Sequence, residues 1–259
     1  MAVKGVGDAE KLQQDLDTLT KWEKTWMMEF HPKKCEIISI SRKRKITQYP
    51  YALHGHYLKH VDYAKYLGVT ITKDFRWNRH VENISTKANN SLNFLRRNIN
   101  ISNPKLKGIA YKSLVRPILE YSSPVWHPYT DVLTKKIETV QRRAARFTLH
   151  RYTRESSVSA MIKELGWQTL EERRRLNCLT MFYKIHSNLV AIDITNYLEP
   201  KNHLIPTRTE NTQAYCIPHS SKDYHRLSFF PRTVRDWNLL ADTTARAPSL
   251  VAFKKIINN

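Results

Sequence analysis

Hydrophobic residues in the first 75 positions repeat with two different periods. After Asp8, a candidate N-cap, they recur every three or four residues at Leu12, Leu16, Leu19, Trp22 and Trp26. This spacing predicts a helix with one face in the core. Beyond His31-Pro32, residues 35–41 are rich in isoleucine and serine and predict a strand. Residues 51–53 and 57–58 flank His54-Gly55 and predict a hairpin, and residues 66–71 predict a further short strand.

From Trp77 onward the strand pattern gives way to long helical periods. Residues 81–95 predict one helix, and Ser102 or Asn103 with Pro104 opens a second that is interrupted at Pro117. A third opens at Thr130 or Asp131, with core positions Leu133, Ile137, Val140, Ala144 and Phe147. A short helix over 156–165 stops at Gly166, and a capping box at 169–172 opens the next. Residues 199–226 predict an extended linker before two short helices around Trp237 and Phe253.

These elements predict an α+β protein. A small mixed part, with a helix and short antiparallel strands, is followed by a mostly α-helical region. We expect three parts: a mixed domain over 1–75, a helical domain over 76–190, and an extended linker with short C-terminal helices over 191–259.

The charge of the chain indicates its class of partner. The 259 residues include 43 Lys and Arg against 23 Asp and Glu, a formal net charge of +20, which favours a polyanion and above all nucleic acid. Cys35, Cys178 and Cys216 are too far apart for a zinc knuckle, and their odd number argues against a secreted disulfide framework. Without a signal peptide or a long apolar stretch, we expect an intracellular protein, nuclear or cytoplasmic, with no membrane partner.

The basic residues are concentrated in segments that contain no acid. The stretch 83–119 holds seven cations, Lys87, Arg96, Arg97, Lys105, Lys107, Lys112 and Arg116. A second run is Arg42, Lys43, Arg44 and Lys45, and a third group on one predicted helix is Arg142, Arg143 and Arg146. Such cations would bind phosphates and give a salt-dependent affinity. The alternative is that they form solvated helix faces whose side-chain stems cover apolar surface.

Other chemistry has little support in the sequence. His60-Val61-Asp62 matches two ligands of a non-haem iron site, which leaves an Fe(II)-dependent oxygenase as a remote alternative. That chemistry belongs in a many-stranded barrel, however, and the pattern after Trp77 is helical. Cys178 is predicted to be a small core residue. No phosphate-binding glycine loop, nucleophile elbow or zinc spacing occurs, and there is no Asp-Asp pair.

Several short strings, in order along the chain, resemble the C-terminal part of the reverse transcriptases of non-LTR retrotransposons, the jockey-like LINE polymerases. In the first half they are 12–17 (LQQDLD), the Trp22 and Trp26 pair, 28–36 (MEFHPKKCE), 65–71 (KYLGVTI), 77–81 (WNRHV), 111–121 (YKSLVRPILEY) and 125–128 (VWHP). Further on they are 141–147 (QRRAARF), 165–167 (LGW) with Arg173-Arg174, and 237–239 (WNL). The resemblance extends from about residue 5 to the end of the chain.

The resemblance implies a role for each part. Residues 8–41 resemble the end of the palm, where Lys34 matches a lysine thought to help protonate the departing pyrophosphate, a reasonable role for a cation beside phosphate. Its alternative is a strand-edge lysine without a catalytic role. Tyr66, Leu67 and Gly68 fall in the segment that resembles the primer grip, and the helices from Trp77 resemble the thumb, which follows the duplex backbone.

The resemblance also implies what the chain lacks. The metal-binding aspartates of that family would lie just upstream of Gly5, and Asp8, Asp15 and Asp17 cannot replace them. We therefore expect a C-terminal fragment that binds RNA, RNA–DNA or DNA duplexes, does not polymerise alone, and uses no cofactor, Mg²⁺ belonging to the complete polymerase. The rest of the retrotransposon polyprotein is a further expected partner. The alternative is a stand-alone nucleic-acid-binding protein derived from such an element.

Overall fold

A computed structural model describes residues 3–41, 48–153, 155–201 and 211–258 of the chain. They divide into two compact units, Met1–His80 and Val81–Asn259. The basic run from Arg42 to Lys45 lies outside the described residues. The division into three parts at residues 75 and 190 stays a prediction.

The first unit combines one long helix with three two-stranded pairs. Helix α1 spans Val6–Trp26, a 3₁₀ turn spans Pro32–Lys34, and the strands are β1 Glu36–Ile37, β2 Ala52–Leu53, β3 His56–Tyr57, β4 Lys59–His60, β5 Tyr63–Tyr66 and β6 Val69–Thr72. The pairs β2–β3 and β5–β6 are antiparallel, whereas β1–β4 is parallel. The predicted strand over 35–41 is too long, because β4 offers only two residues for pairing. The β1–β4 pair is also parallel, whereas antiparallel strands were predicted.

Two polar side chains fix helix α1 to the β2–β3 hairpin. The Gln13 amide donates to the carbonyl of Ala52 at 3.0 Å and accepts from the Ala52 N–H at 2.9 Å. The buried carboxylate of Glu23 lies 2.8 Å from the His54 imidazole and also accepts the N–H of Phe30. His54 and Gly55 both have positive φ, as a two-residue hairpin turn requires, so the predicted hairpin is confirmed.

The predicted core face of α1 is wrong. Among its residues only Ala9 and Glu23 are buried, while Trp22 is 38% and Trp26 is 63% exposed. A helix of 21 residues is about 31 Å long, and the two-residue strands of the β2–β3 hairpin are too short to cover it. The spacing of apolar residues identified an apolar face of α1, but it could not show whether another element covers that face.

The second unit is helical. Helix α2 spans Asn78–Asn98 and begins in the last residues of the first unit. The other helices are α3 Pro104–Leu114, α4 Arg116–Glu120, α5 Ser123–Trp126, α6 Asp131–Leu149, α7 Val158–Glu164, α8 Leu170–His186, α9 Asp223–Arg226, α10 Phe229–Asn238, α11 Asp242–Ala245 and α12 Leu250–Ile257, with a 3₁₀ turn at Ile194–Asn196. The α+β class with a mostly helical second part is confirmed.

Several predicted helix boundaries are confirmed by their caps. The Asn103 side chain accepts the N–H of Lys105 at 2.9 Å at the start of α3, and Thr169 accepts the N–H of Glu172 at 3.1 Å at the start of α8. Gly166, with a φ of 62°, follows α7. The predicted interruption is present close to Pro117: α3 ends at Leu114, and α4 begins at Arg116 with Pro117 in its first turn. The five predicted core positions of α6 are all buried.

The C-terminal helices share a core with α8. Leu179, Phe182 and Tyr183 pack with Trp237 of α10 and Phe253 of α12. The rings of Tyr183 and Phe253 stack at 4.4 Å, and the Tyr183 hydroxyl donates to the carbonyl of Ala247 at 2.6 Å. Helix α8 is also attached to α4, because Arg173 forms an ion pair with two hydrogen bonds to Glu120.

Candidate nucleic-acid interface

Helices α2 and α6 lie side by side and run parallel, joined by contacts two turns apart. Glu82 pairs with Lys136, and the Arg143 guanidinium donates to Asn89 at 3.1 Å. The Arg96 guanidinium then lies 5.8 Å from the ring of Tyr152, just beyond the end of α6. Along α2 the steps from Glu82 to Asn89 and from Asn89 to Arg96 are each seven residues, about 10.5 Å, and along α6 the step from Lys136 to Arg143 is also seven residues. We call this line of contacts the α2–α6 seam.

The sequence of each helix explains which side chains reach the surface. Along α2, Val81, Ala88, Leu92 and Leu95 are buried at helical spacing, which leaves the basic positions outside. Along α6 the buried residues include Ile137, Val140, Ala144 and Phe147. The arginines at 142 and 143 therefore project from the opposite side of the helix, and both are exposed.

The surface near the C-terminal ends of α2 and α6 carries one sign of charge. Neither 83–119 nor 139–153 contains an acidic residue. Among the residues that the structure describes, seven exposed cations of this region have no carboxylate in ion-pair contact: Lys87, Arg96, Arg97, Lys105, Lys112, Arg142 and Arg143. Basic residues in a last helical turn also offset the helix dipole, which is the alternative explanation for Arg96, Arg97 and Arg146.

Three of the other candidate cations are engaged within the protein. Arg116 lies 3.5 Å from Glu120, which also pairs with Arg173. Lys107 is only 7% exposed, with its ammonium 5.1 Å from the ring of Phe147. Arg146 is half-buried and donates to the carbonyl of Thr153 at 3.4 Å. Arg116 is therefore paired with a carboxylate, whereas Lys107 and Arg146 contact a ring and a carbonyl oxygen and have no carboxylate partner in the described residues.

The first unit presents a tight hairpin tip at the predicted primer-grip segment. Strands β5 and β6 are joined by Leu67 and Gly68, with φ of 44° and 86°, the backbone of a two-residue turn. A leucine rarely adopts positive φ, and such backbone strain is concentrated at functional sites. Tyr66 and Leu67 are exposed, Leu67 by 73%. The residue pattern predicted a continuous strand over 66–71, which is wrong at Leu67 and Gly68, whereas the resemblance to the primer grip implied a turn in this segment.

Two interactions attach the start of α2 to the β5–β6 hairpin. The Arg79 guanidinium lies 3.3 Å from the centre of the Tyr63 ring. The buried His80 imidazole accepts the N–H of Thr70 through Nδ1 at 3.1 Å, and burial lowers the pKa of His80 to about 4. His80 is therefore neutral at physiological pH, which suits its role as an acceptor.

Lys34 lies in the 3₁₀ turn before β1 rather than on a strand. Its side chain is exposed, and its N–H donates to the carbonyl of His31 at 2.9 Å. The His60-Asp62 motif has other partners: Asp62 pairs with Lys73 at 2.7 Å, and His60 Nε2 lies 3.2 Å from the carbonyl oxygen of Tyr49. In the described part of the chain, no three His, Cys, Asp or Glu side chains come together as metal ligands.

A buried polar cluster between α5, α8 and α10 is not arranged for nucleophilic chemistry. Cys178 Sγ lies 3.6 Å from His127 Nδ1. Burial raises the pKa of Cys178 to about 11, and burial with the charges of Arg232 and Arg174 lowers the pKa of His127 to about 2. The thiol and the imidazole are thus both neutral, as expected for the core residue predicted at Cys178.

Arg174 is the most unusual member of this cluster. Its side chain is fully buried, and its three guanidinium nitrogens have no hydrogen-bond partner among the residues described. Burial lowers the pKa of Arg174, while Glu138 and Glu171 act in the opposite direction. Buried cations are normally paired, so this arrangement destabilises the unit unless a water or an anion is bound.

Sequence reasoning did not identify Tyr152 and His150, which border the C-terminal end of the seam. His150 ends α6 in the left-handed conformation, with a φ of 54°, and its ring meets the ring of Tyr152 edge-on at 5.5 Å. An aromatic residue directly after a basic helix is the signal that could have indicated them.

Comparison with known proteins identifies relatives of one kind. The chain is 27% identical over 143 residues to the probable RNA-directed DNA polymerase from transposon BS of Drosophila melanogaster, which covers 53% of this chain. It is 25% identical over 138 residues to the RNA-directed DNA polymerase from mobile element jockey, and 24% over 144 residues to the probable enzyme from transposon X-element, both of the same organism. No family model and no solved structure matches the chain.

These matches show that the chain is related to RNA-directed DNA polymerases of transposons. One of these relatives is the polymerase from mobile element jockey, in line with the jockey-like family that the sequence motifs resemble. The chain spans 15–16% of the length of the curated relatives that it matches. No helix in the described residues is long and apolar enough to cross a bilayer.

Proposed function

We propose that this chain is a nucleic-acid-binding part of a jockey-like reverse transcriptase and binds template–primer or RNA through the phosphate backbone. The observation that carries the proposal is the α2–α6 seam with its surrounding surface, where exposed arginines and lysines occur without an acidic residue over 83–119 and 139–153. Backbone binding needs cations at phosphate spacing and no base-reading motif.

The geometry of the seam adds to this argument. Asn89 orients Arg143, and Tyr152 orients Arg96, so two guanidinium groups are held in place rather than freely rotating. Prior ordering lowers the entropy lost when a phosphate binds. The seven exposed cations without carboxylate contacts in the described region lose no internal ion pair on binding.

The β5–β6 tip is the second element of the proposal. By resemblance it would hold the end of the primer, with Tyr66 and Leu67 exposed on a turn that the Leu67-Gly68 backbone fixes. Lys34 keeps its expected role beside a leaving pyrophosphate only in a complete polymerase. The chain itself has no Asp-Asp pair, so the proposal includes no primer extension by this chain alone and no metal held by it.

The test is fluorescence anisotropy of the purified chain with a labelled RNA–DNA primer–template, a DNA duplex and a single-stranded RNA. Each is measured at 50 and 200 mM salt, after which deoxynucleotides and Mg²⁺ are added. We expect binding that weakens steeply with salt, by about 10³-fold or more if six phosphates are contacted, and no extension. Binding that is absent at both salt concentrations contradicts the proposal, and extension contradicts its inactive part.

A further inference from the structure

A surface cleft lies at the C-terminal end of the α2–α6 seam. It has a volume of about 500 Å³ and is formed by the end of α2, the connection to α3, Lys107 of α3, Phe147 of α6 and the turn that follows α6. This volume is within the range of small-molecule sites. All of the cleft lies in the second unit.

The walls of the cleft combine apolar surface with cations. Ile99, Ile101 and Phe147 supply the apolar part, and Arg96 and Lys107 supply two positive charges, with no acidic residue among the lining side chains. Lys107 is only 7% exposed and has no carboxylate partner in the described part of the chain. Because a buried cation is normally paired, an ammonium in such a wall indicates an anionic ligand.

The rim of the cleft carries a partly exposed aromatic ring. Tyr152 is 48% exposed; the His150 ring meets it edge-on, and the Arg96 guanidinium lies 5.8 Å from its centre. An exposed tyrosine beside an arginine is the arrangement on which unpaired bases stack in proteins that bind single strands.

The turn that carries Tyr152 is fixed in position. The N–H groups of His150 and Arg151 both donate to the carbonyl of Arg146, and the Arg146 side chain reaches the carbonyl of Thr153. Arg151 forms two hydrogen bonds with Glu164 of α7, at 2.6 and 3.1 Å. The stacking surface therefore exists before any ligand binds.

We propose that this cleft binds one unpaired nucleobase of a bound nucleic acid, stacked on Tyr152, with the adjoining phosphate held by Arg96 and Lys107. This inference rests on the proposed backbone binding along the seam, which leads directly to the cleft through Arg143 and Arg96. A paired base cannot enter, because in a duplex its faces are stacked and its edge is hydrogen-bonded. The site consequently selects nucleic acids with a bulge, a mismatch or an unpaired end.

The test compares two duplexes of equal length, one fully paired and one with a single 2-aminopurine bulge. We expect the bulged duplex to bind about tenfold more tightly and its 2-aminopurine fluorescence to be quenched on binding. Tyr152→Ala removes the preference for the bulged duplex and the quenching, and because Tyr152 also orients Arg96 it weakens the paired duplex as well, though less than the bulged one. Tyr152→Phe retains both the preference and the quenching. Tyr129→Ala is the matched control, because Tyr129 is exposed near the opposite end of α6, about 28 Å away.

The outcomes separate this inference from the proposed function. Equal affinity for both duplexes, or a preference that survives Tyr152→Ala, overturns the nucleobase site while backbone binding stands. Failure of both duplexes to bind overturns the proposed function itself. Lys107→Met is expected to weaken the bulged complex selectively. A lower melting temperature with an unchanged preference would show that Lys107 stabilises the fold, through the dipoles of the neighbouring helices, and does not bind the phosphate.

Discussion

The guanidinium of Arg143 on α6 donates to the side-chain oxygen of Asn89 on α2 at 3.1 Å. Together with the Glu82–Lys136 pair two turns earlier, this bond sets the parallel register of the two helices. The register brings the C-terminal ends of both helices, with their arginines, to the same end of the unit. A surface of one charge sign therefore arises from two segments that are 54 residues apart.

Replacing Glu120 tests the ion pair that joins α4 to α8. Glu120→Gln leaves the partly buried Arg116 and Arg173 without their carboxylate. We expect the free energy of unfolding to fall by about 2 kcal/mol, measured by urea denaturation. Asp223→Asn, which breaks an exposed pair with Arg226, serves as the control and should cost less than about 1 kcal/mol. Equal effects of the two changes would contradict the buried role of Glu120.

Replacing Arg174, unlike replacing Glu120, is not expected to lower the stability of the second unit. Because its buried guanidinium has no partner among the described residues, Arg174→Met should leave stability unchanged or raise it by about 1 kcal/mol or more. Arg173→Met, at the next position of the same helix, should destabilise because it removes the partner of Glu120. A loss of more than about 2 kcal/mol on Arg174→Met would instead indicate that a bound water or anion satisfies the arginine.

The two buried histidines predict how stability depends on pH. Folded pKa values of about 4 for His80 and about 2 for His127 lie below the unfolded value of about 6.5. The unfolded chain therefore binds more protons than the folded chain below about pH 6.5, and stability is lost as the pH falls, down to about 4 for His80 and down to about 2 for His127. His80 alone would contribute about 3 kcal/mol of this loss.

Denaturation at several pH values checks this expectation in His80→Asn. Asparagine can accept the N–H of Thr70 but does not titrate, so part of the loss between pH 6.5 and 4 should disappear. An unaltered pH profile in this variant would mean that His80 is already protonated, or solvated, in the folded chain.

The end of α1 predicts self-association. Trp22, Trp26, Met27 and Met28 are exposed together, with the indole rings 6.2 Å apart. Apolar patches of this kind promote association. Sedimentation velocity should show a concentration-dependent increase in mass that Trp26→Gln with Met27→Gln reduces. Leu239→Gln removes an equally exposed apolar side chain in the second unit and should have no effect; a chain that stays monomeric at tens of micromolar would refute the prediction.

Local sequence patterns predicted most of the helices but not their partners. The spacing of Leu133, Ile137 and Val140 determined which face of α6 is buried, because a long amphipathic helix carries its own signal. The same reasoning failed for Trp22 and Trp26, since burial depends on a covering element and not on periodicity alone. Short strands such as β1 and β4 depend on a pairing over 23 residues that no local pattern specifies.

The candidate interface was likewise predicted only in part from the sequence. Charge runs identified Arg96, Arg97, Arg142 and Arg143 as candidates, because a segment without acids is visible in the sequence. They gave no means of separating these from Arg116, which Glu120 engages only through the fold. The contact between Arg96 of α2 and Tyr152 of the turn after α6 joins residues 56 positions apart and depends on the parallel register of the two helices.

The central claim is tested most directly by the salt dependence of duplex affinity in two matched variants. The first replaces Arg96, Arg97, Arg142 and Arg143 by Gln, and the second replaces the exposed Lys163, Lys222, Lys254 and Lys255 by Gln, so both lose four charges. We expect the slope of log affinity against log salt to fall by about 3 to 4 in the first and to stay near the wild-type value in the second. Equal slopes in the two variants would contradict binding at the α2–α6 seam.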